Sequence, residues 1–534
     1  MTREPTASIG RWPLTMYSSS HLSGNSPSET QPVLEAGSYR EENLTRRTIS
    51  GLGWSLGAQI LRQSAQFLIA VLLARLLSPS EFGLVAMVVV FSGFASLFND
   101  LGFGPALIQR QDIEERHYSS VFWVNLGFGI AIAALLAGAS PLIARFYKQP
   151  RLIAVTMLIS LCFPINSLGL VQKAKFTRQM DFRSLGLVDV GNVVVSGLVA
   201  GFLAWRGFGV WSLVAQMLSL AIGEVVGLWL LSDWRPRALL DRSAIRDLFG
   251  FSSNLTGFTA INYWYRNGDN LLVGKFFGSV ALGVYSRAYN LMLLPLSQIT
   301  YVVSKVMFPA LSRMQSDKAR VRDVYLRSIA MIALVTFPLM LGLLVVADHF
   351  IIAIYGSAWS GVIPILRVYC ILGMAQSVYS TVGWIFQSQG RTDWMFRWGL
   401  FSAVVSIAAM ALGVWLGSPM AIAICLTAIG LLLLPPGFGI PGRLIGITLR
   451  DIARSLSSVT GCAAIMAVSV WVLGLCLPRG WSNLVFLSVE VPFGAAIYTL
   501  LVHLFQLPAY LEFREILMRQ LAHPVLPARC SNGT

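Results

Sequence analysis

Apolar stretches of about twenty residues recur along almost the whole chain after residue 48. Each is long enough to cross roughly 30 Å of hydrocarbon at about 1.5 Å of rise per residue. With 55% hydrophobic and 12% charged residues and a mean hydropathy of +0.66, the chain is too apolar for an ordinary soluble domain. The bilayer is its natural solvent, and the pattern predicts an all-α polytopic membrane protein with about fourteen transmembrane helices.

Residues 1–47 are rich in Ser, Pro, Gly, Glu and Arg, lack the apolar run of a signal peptide, and read as a disordered cytoplasmic tail. Six helices are expected at roughly 48–77, 82–108, 119–144, 152–172, 185–205 and 208–231. A polar connector at 232–245 precedes six more, near 246–276, 280–309, 326–347, 362–388, 392–416 and 419–440. Two further helices, at 455–477 and 482–506, complete the count within a segment spanning 441–506, and 507–534 forms a second cytoplasmic tail. The seventh helix is unusually polar, because Asn254, Asn262, Arg266, Asn267, Asp269 and Asn270 all fall in it.

The net charge of +15 does not point to nucleic acid, because the basic residues alternate between loops and share no face. Twenty-eight of the forty Lys and Arg lie in the termini and even-numbered loops, against seven in the odd-numbered loops. Since cytoplasmic loops are the basic ones, both termini are expected in the cytoplasm, with Ser80, Lys148 and Ser279 on the opposite side.

The halves also match each other. Ala74–Ser78 with Phe82, Gly83 and Leu84 aligns with Gly274–Gly278 and Leu282, Gly283 and Val284 at a displacement of 200 residues. A weaker match sets Phe146 and Tyr147 against Ile354 and Tyr355. Six helices separate the copies, so the expected repeat is parallel: two six-helix lobes, 48–231 and 246–440, related by an axis along the membrane normal.

Ionisable residues at membrane depth are costly and mark pathways or helix-locking pairs. In the first helix Ser55, Gln59, Arg62, Gln63 and Gln66 form one polar stripe, and the displacement aligns Thr259, Asn262 and Arg266 with Gln59, Arg62 and Gln66. Two such stripes escape lipid most simply by facing each other across a cavity between lobes. An arginine there suits an anionic cargo, since its planar fork binds phosphate oxygens in pairs. The substrate-binding candidates are Arg62, Gln66, Arg266, Asn262 and Arg287; Arg266 has the alternative of pairing with Asp269 or Asp100, and Arg287 that of snorkelling to an interface. Asp100, Glu224 and Asp269, together with Asp189 and Glu490, are the carboxylates able to take a coupling proton or cation. Tyr263, Trp264 and Tyr265 could stack on sugars.

No Walker A sequence, nucleophile elbow or H-E-x-x-H pair is present, the five histidines are scattered, and the cysteines show no C-x-x-C spacing. Neither enzyme activity nor a metal or cofactor is expected.

The segments LTRRTISGLGW (44–54), LARLLSPSEFGL (73–84), DLGFGPALI (100–108) and QKAKFTRQMDFR (172–183) are similar to the polysaccharide transporter family of the multidrug, oligosaccharidyl-lipid and polysaccharide exporter superfamily, over roughly 44–450. The resemblance is to its lipopolysaccharide, exopolysaccharide and colanic-acid type flippases. It implies a V-shaped pair of six-helix lobes that alternate between cytoplasmic and periplasmic openings in the bacterial inner membrane. The implied cargo is an oligosaccharide on undecaprenyl pyrophosphate, with a polysaccharide polymerase and co-polymerase as pathway partners. It also implies a cationic cavity, for which Arg62 and Arg266 are the available positions, and a groove for the lipid tail at helices thirteen and fourteen. A membrane-embedded polymerase or glycosyltransferase is the alternative from another class; it should carry a large periplasmic loop or an acidic catalytic cluster and no duplication. A drug or cation exporter of the same superfamily is the other, and would favour an acidic cavity.

Overall fold

The computed structural model describes residues 54–515 except 55–56, 100–101, 111, 242–252, 479 and 513. The expected N-terminal tail, most of the C-terminal tail, part of the connector and Asp100 therefore lie outside the described residues, as do the side chains of Asn262, Tyr265 and Lys305.

The described chain is helical throughout. The first half comprises α1 (Gly57–Leu76), α2 (Pro79–Ser96), α3 (Phe103–Gln109), α4 (Glu115–Tyr147), the short α5 (Leu152–Ser160), α6 (Cys162–Ser167) and α7 (Leu170–Arg178), α8 (Phe182–Trp205) and α9 (Val210–Leu231). The second half has α10 (Ser253–Arg313), α11 (Lys318–Ile354), α12 (Val362–Tyr379), α13 (Val382–Ser388), α14 (Thr392–Trp415) and α15 (Pro419–Ile445), followed by α16 (Leu449–Cys476) and α17 (Asn483–Leu504). Among the described residues eleven helices are long and apolar enough to cross a bilayer, or twelve with the bent run from Leu152 to Arg178 taken as one. The protein is a multi-pass membrane protein. The difference from about fourteen falls on α10, whose 61 residues hold the polar seventh helix and the eighth as one stretch and do not pass that test.

Local chemistry sets the breaks. At the start of α2, Ser78 and Glu81 form a reciprocal capping box, the Ser78 amide donating to Glu81 Oε2 at 2.7 Å, and Pro79 supplies a preset first-turn φ. The matching place in the second half uses Gly278 instead, at φ 84°, a left-handed conformation that only glycine adopts cheaply. One copy thus separates its two helices by a cap and the other by a kink.

The largest core cluster draws on both halves, joining Leu84, Met87 and Tyr147 to Val273, Leu282, Tyr285 and Trp359. At its edge α2 crosses α10 at near-contact of backbones. A methyl group on Gly83 would lie 1.7 Å from the Ser279 carbonyl oxygen, and one on Gly283 would lie 1.9 Å from the Pro79 oxygen. Both residues of each pair are displaced by 200 from those of the other, so the contact is reciprocal: what the first half offers to the second, the second offers to the first. Small residues at such crossings let helices approach closely in a medium where hydrophobic attraction between them is weak. The last two helices pack elsewhere, on α11, through Val346 with Met466, Ala467 and Val470.

Candidate functional site

Charged side chains collect inside the first half. The α1 face bearing Ala58, Ile69 and Leu72 meets Gly186, Gly197 and Gly201 of α8, and the steps 58, 62, 65, 69 and 72 run along one helix face. Arg62 therefore projects toward α8 beside Asp189. Its guanidinium donates to Gln59 Oε1 at 2.9 Å. Next to it, Lys173 Nζ on α7 donates to Glu224 Oε1 on α9 at 2.6 Å, with the lysine side chain about half exposed and the glutamate about a third. Arg62 and Asp189 both lie within electrostatic reach of this pair. The result is a cluster of two cations and two carboxylates contributed by α1, α7, α8 and α9.

This arrangement corrects the expectation that Arg62 faces Arg266 across a cavity: the partners of Arg62 are in its own half. It also adds Lys173, which the expected end of the fourth helix at 172 put in a loop. The helical chain runs on to Arg178, and that extension turns Lys173 toward Glu224. Gln66, one turn further along α1 from Arg62, is half-buried.

On α10 the side chains divide by direction. Tyr263 donates its hydroxyl to the Val90 carbonyl at 2.7 Å and Trp264 packs on Phe94 at 5.0 Å, tying this face to α2. Asp269 is buried and accepts from the Tyr285 hydroxyl at 3.0 Å and from the Asn270 amide at 2.8 Å. Arg266 lies between these two faces on the helical wheel and is exposed. The alternative in which Arg266 serves only to pair with Asp269 does not describe this geometry, since the buried carboxylate is held by Tyr285 and its own helix.

Arg287 occupies a third environment. Its guanidinium carbon lies 4.5 Å from the Phe82 ring centroid, 5.3 Å from Trp359 and 5.5 Å from Tyr355. Such an aromatic enclosure stabilises a desolvated guanidinium but leaves little of it for a ligand. Of the five substrate-binding candidates, Arg62 and Arg266 stay accessible in separate places, Arg287 is enclosed where the halves meet, Gln66 is half-buried and Asn262 is outside the described side chains. Glu490 is buried against His349, its Oε2 3.0 Å from Nδ1, where α17 packs on α11. Among the described residues no group of three or more His, Cys, Asp or Glu side chains is placed to hold a metal ion.

The fold is similar to that of the lipid II flippase MurJ in an inward closed conformation, with a TM-score of 0.66 over 86% of this chain and 98% of that one at 14% identity. Sequence relatives are more similar. The teichuronic acid biosynthesis protein TuaB of Bacillus subtilis is 29% identical over 361 residues, covering 67% of this chain and 74% of that protein. The succinoglycan biosynthesis transport protein ExoT of Rhizobium meliloti is 28% identical over 69% of this chain and 74% of its own length. The lipopolysaccharide biosynthesis protein WzxC of Escherichia coli is 25% identical over 70% of this chain and 76% of its own. The profile of the family described as "Polysaccharide biosynthesis protein" matches residues 72–364, more than half of the chain. With the helical architecture and these relatives in agreement, the chain belongs to that family of polysaccharide biosynthesis proteins.

Proposed function

We propose that this protein is a flippase that carries oligosaccharide units on undecaprenyl pyrophosphate from the cytoplasmic to the periplasmic leaflet of a bacterial inner membrane. Relatives named for teichuronic acid, lipopolysaccharide and succinoglycan biosynthesis support a polysaccharide pathway, and a polymerase and co-polymerase would take up the translocated unit. In this reading 48–231 and 246–440 are lobes related by a parallel repeat, and the basic loops put both termini in the cytoplasm.

The observation that carries the proposal is the placing of Arg62, Lys173 and Arg266 on helices of a two-half bundle. Asp189 and Glu224 offset the first two cations. A pyrophosphate competes with those carboxylates for the Arg62 fork and for Lys173, while Arg266 supplies a second cation on the inter-half face. The displaced Glu224, with Asp189 beside it, is then the carboxylate able to take up the coupling proton or cation; Asp269, locked to Tyr285, fits a helix-holding role better. Asp100 stays a candidate by sequence alone.

Proteoliposomes containing the purified full chain and a fluorescent undecaprenyl-pyrophosphate oligosaccharide provide the test. The Arg62→Ala, Arg266→Ala double variant should accumulate normally and flip at least about tenfold more slowly, as expected for losing charge-assisted bonds. Arg→Lys at both positions should restore part of the rate, because lysine keeps the charge without the paired geometry. Flipping at the unaltered rate by a stable double alanine variant would refute the assignment.

A further inference from the structure

The contacts that join the halves include two cations whose roles mirror each other. Arg75, one residue before the end of α1, donates Nε to the Ile354 carbonyl at 2.7 Å and Nη2 to the Ala353 carbonyl. Lys275, its counterpart at a displacement of 200, donates Nζ to the Phe146 carbonyl and sits 4.3 Å from the Phe146 ring centroid. Ile354 ends α11 and Phe146 is the penultimate residue of α4, so each cation caps the C-terminal end of a long helix in the opposite half. Those ends carry carbonyls without intrahelical partners and the negative pole of the helix dipole, which a cation stabilises. Phe146 and Ile354 are themselves the positions matched by the second, weaker repeat signal.

Other contacts surround the two capped ends without copying the symmetry. Trp359 donates Nε1 to the Ala74 carbonyl at 2.8 Å from the second half to the first. At the position equivalent to Ala74, Gly274 leaves room for the Tyr147 ring, which a methyl group there would approach to 2.8 Å. The reciprocal Gly83–Ser279 and Gly283–Pro79 crossings close the same end of the bundle.

We infer that Arg75 and Lys275 are a pair of equivalent latches that hold the two halves together at the Pro79–Ser279 end, and that the protein opens there only when both helix ends are released. The inference rests on reading the chain as an alternating-access carrier. Both cations bond backbone carbonyls rather than carboxylates, so each latch is insensitive to the charge state of a partner and each can be removed by changing one side chain. Either one left in place still tethers a helix end of the opposite half.

Hydrogen exchange of the full chain in lipid nanodiscs reads this without cargo. Amides at 80–84 and 279–284 should exchange about tenfold faster in Arg75→Met or Lys275→Met, and about a hundredfold faster in the double variant, with exchange in α16 unchanged. Exchanging the two side chains, Arg75→Lys with Lys275→Arg, should restore most of the protection because both helix ends keep a cation. Two outcomes overturn the inference: unchanged junction exchange in the folded variants, or acceleration spread evenly through both halves, as a merely structural contact would give. If the double variant does not accumulate, the single variants decide by the same measure. Failure of the latch leaves the cargo assignment standing, since flipping in proteoliposomes is scored separately. Unaltered flipping in the Arg62→Ala, Arg266→Ala variant would refute the cargo assignment alone, since the latch is scored by junction exchange.

Discussion

The junction between the halves and the charge cluster of the first half both keep basic side chains within a membrane bundle, and they neutralise them differently. At the junction Arg75 and Lys275 bond helix-end carbonyls and Arg287 sits among aromatic rings. In the cluster Lys173 meets Glu224, with Arg62 and Asp189 alongside. Carbonyls and rings are neutral, fixed and fully committed, so the junction is a place for packing. A carboxylate can be displaced by a better anion or take up a proton, so the cluster can exchange partners. The contrast separates residues that hold shape from residues available to a ligand.

The largest effect expected from testing this contrast is at the glycine crossing. Gly83→Ala or Gly283→Ala inserts a methyl group where backbone already sits, and should cost about 1–3 kcal/mol or more, seen as a thermal transition lowered by several degrees. Gly138→Ala, where nothing lies within 4 Å, should leave the transition in place. Equal responses at 83 and 138 would mean that the junction is not tightly packed.

Next comes the buried carboxylate of α10. Tyr285→Phe removes the hydroxyl that donates to Asp269 and should cost about 1–3 kcal/mol, while Tyr285→Phe combined with Asp269→Leu should recover part of it because no unpaired carboxylate is left. Denaturation midpoints of the single and double variants decide whether Asp269 belongs with the shape-holding residues; a double variant worse than the single would place it elsewhere.

The Lys173–Glu224 pair should respond less, because both side chains are partly exposed. Glu224→Ala is expected to lower stability by about 1 kcal/mol or less. The same change should alter the salt dependence of flipping, whereas Gly83→Ala should not, and measuring rates across ionic strength separates the two regions. The smallest change is expected for Arg287→Lys, which keeps a cation among the three rings and should cost about 0.5–1 kcal/mol in the same denaturation experiment.

Much of the architecture was legible because membrane helices are written in a long, simple code. Runs near twenty apolar residues and the displacement of 200 residues are one-dimensional signals. The matched pairs Arg75/Lys275 and Gly83/Gly283 turned out to be in contact with the opposite half. The side-chain partners were less legible. Which way Arg62 points depends on the α1 face that Gly186, Gly197 and Gly201 admit, a property of two helices together. Lys173 was hidden by an uncertain helix end, although a lysine that opens a basic run continuing as helix to Arg178 was the available signal. Arg287 looked like any intramembrane cation, because Phe82, Tyr355 and Trp359, which enclose it, come from widely separated segments.

The reciprocal crossing at Pro79, Gly83, Ser279 and Gly283 has a consequence for how such a chain can change over generations. Each half presents a surface that is its own complement, as the two subunits of a symmetric dimer do. A substitution at 83 is therefore answered at 279, in the other copy, and one at 283 is answered at 79. The two matched segments are therefore not free to drift independently. They should vary in crossed pairs, with 83 following 279 more closely than it follows its own equivalent at 283, and a collection of related sequences in which 83 tracks 283 instead would show that the crossing exerts no such constraint.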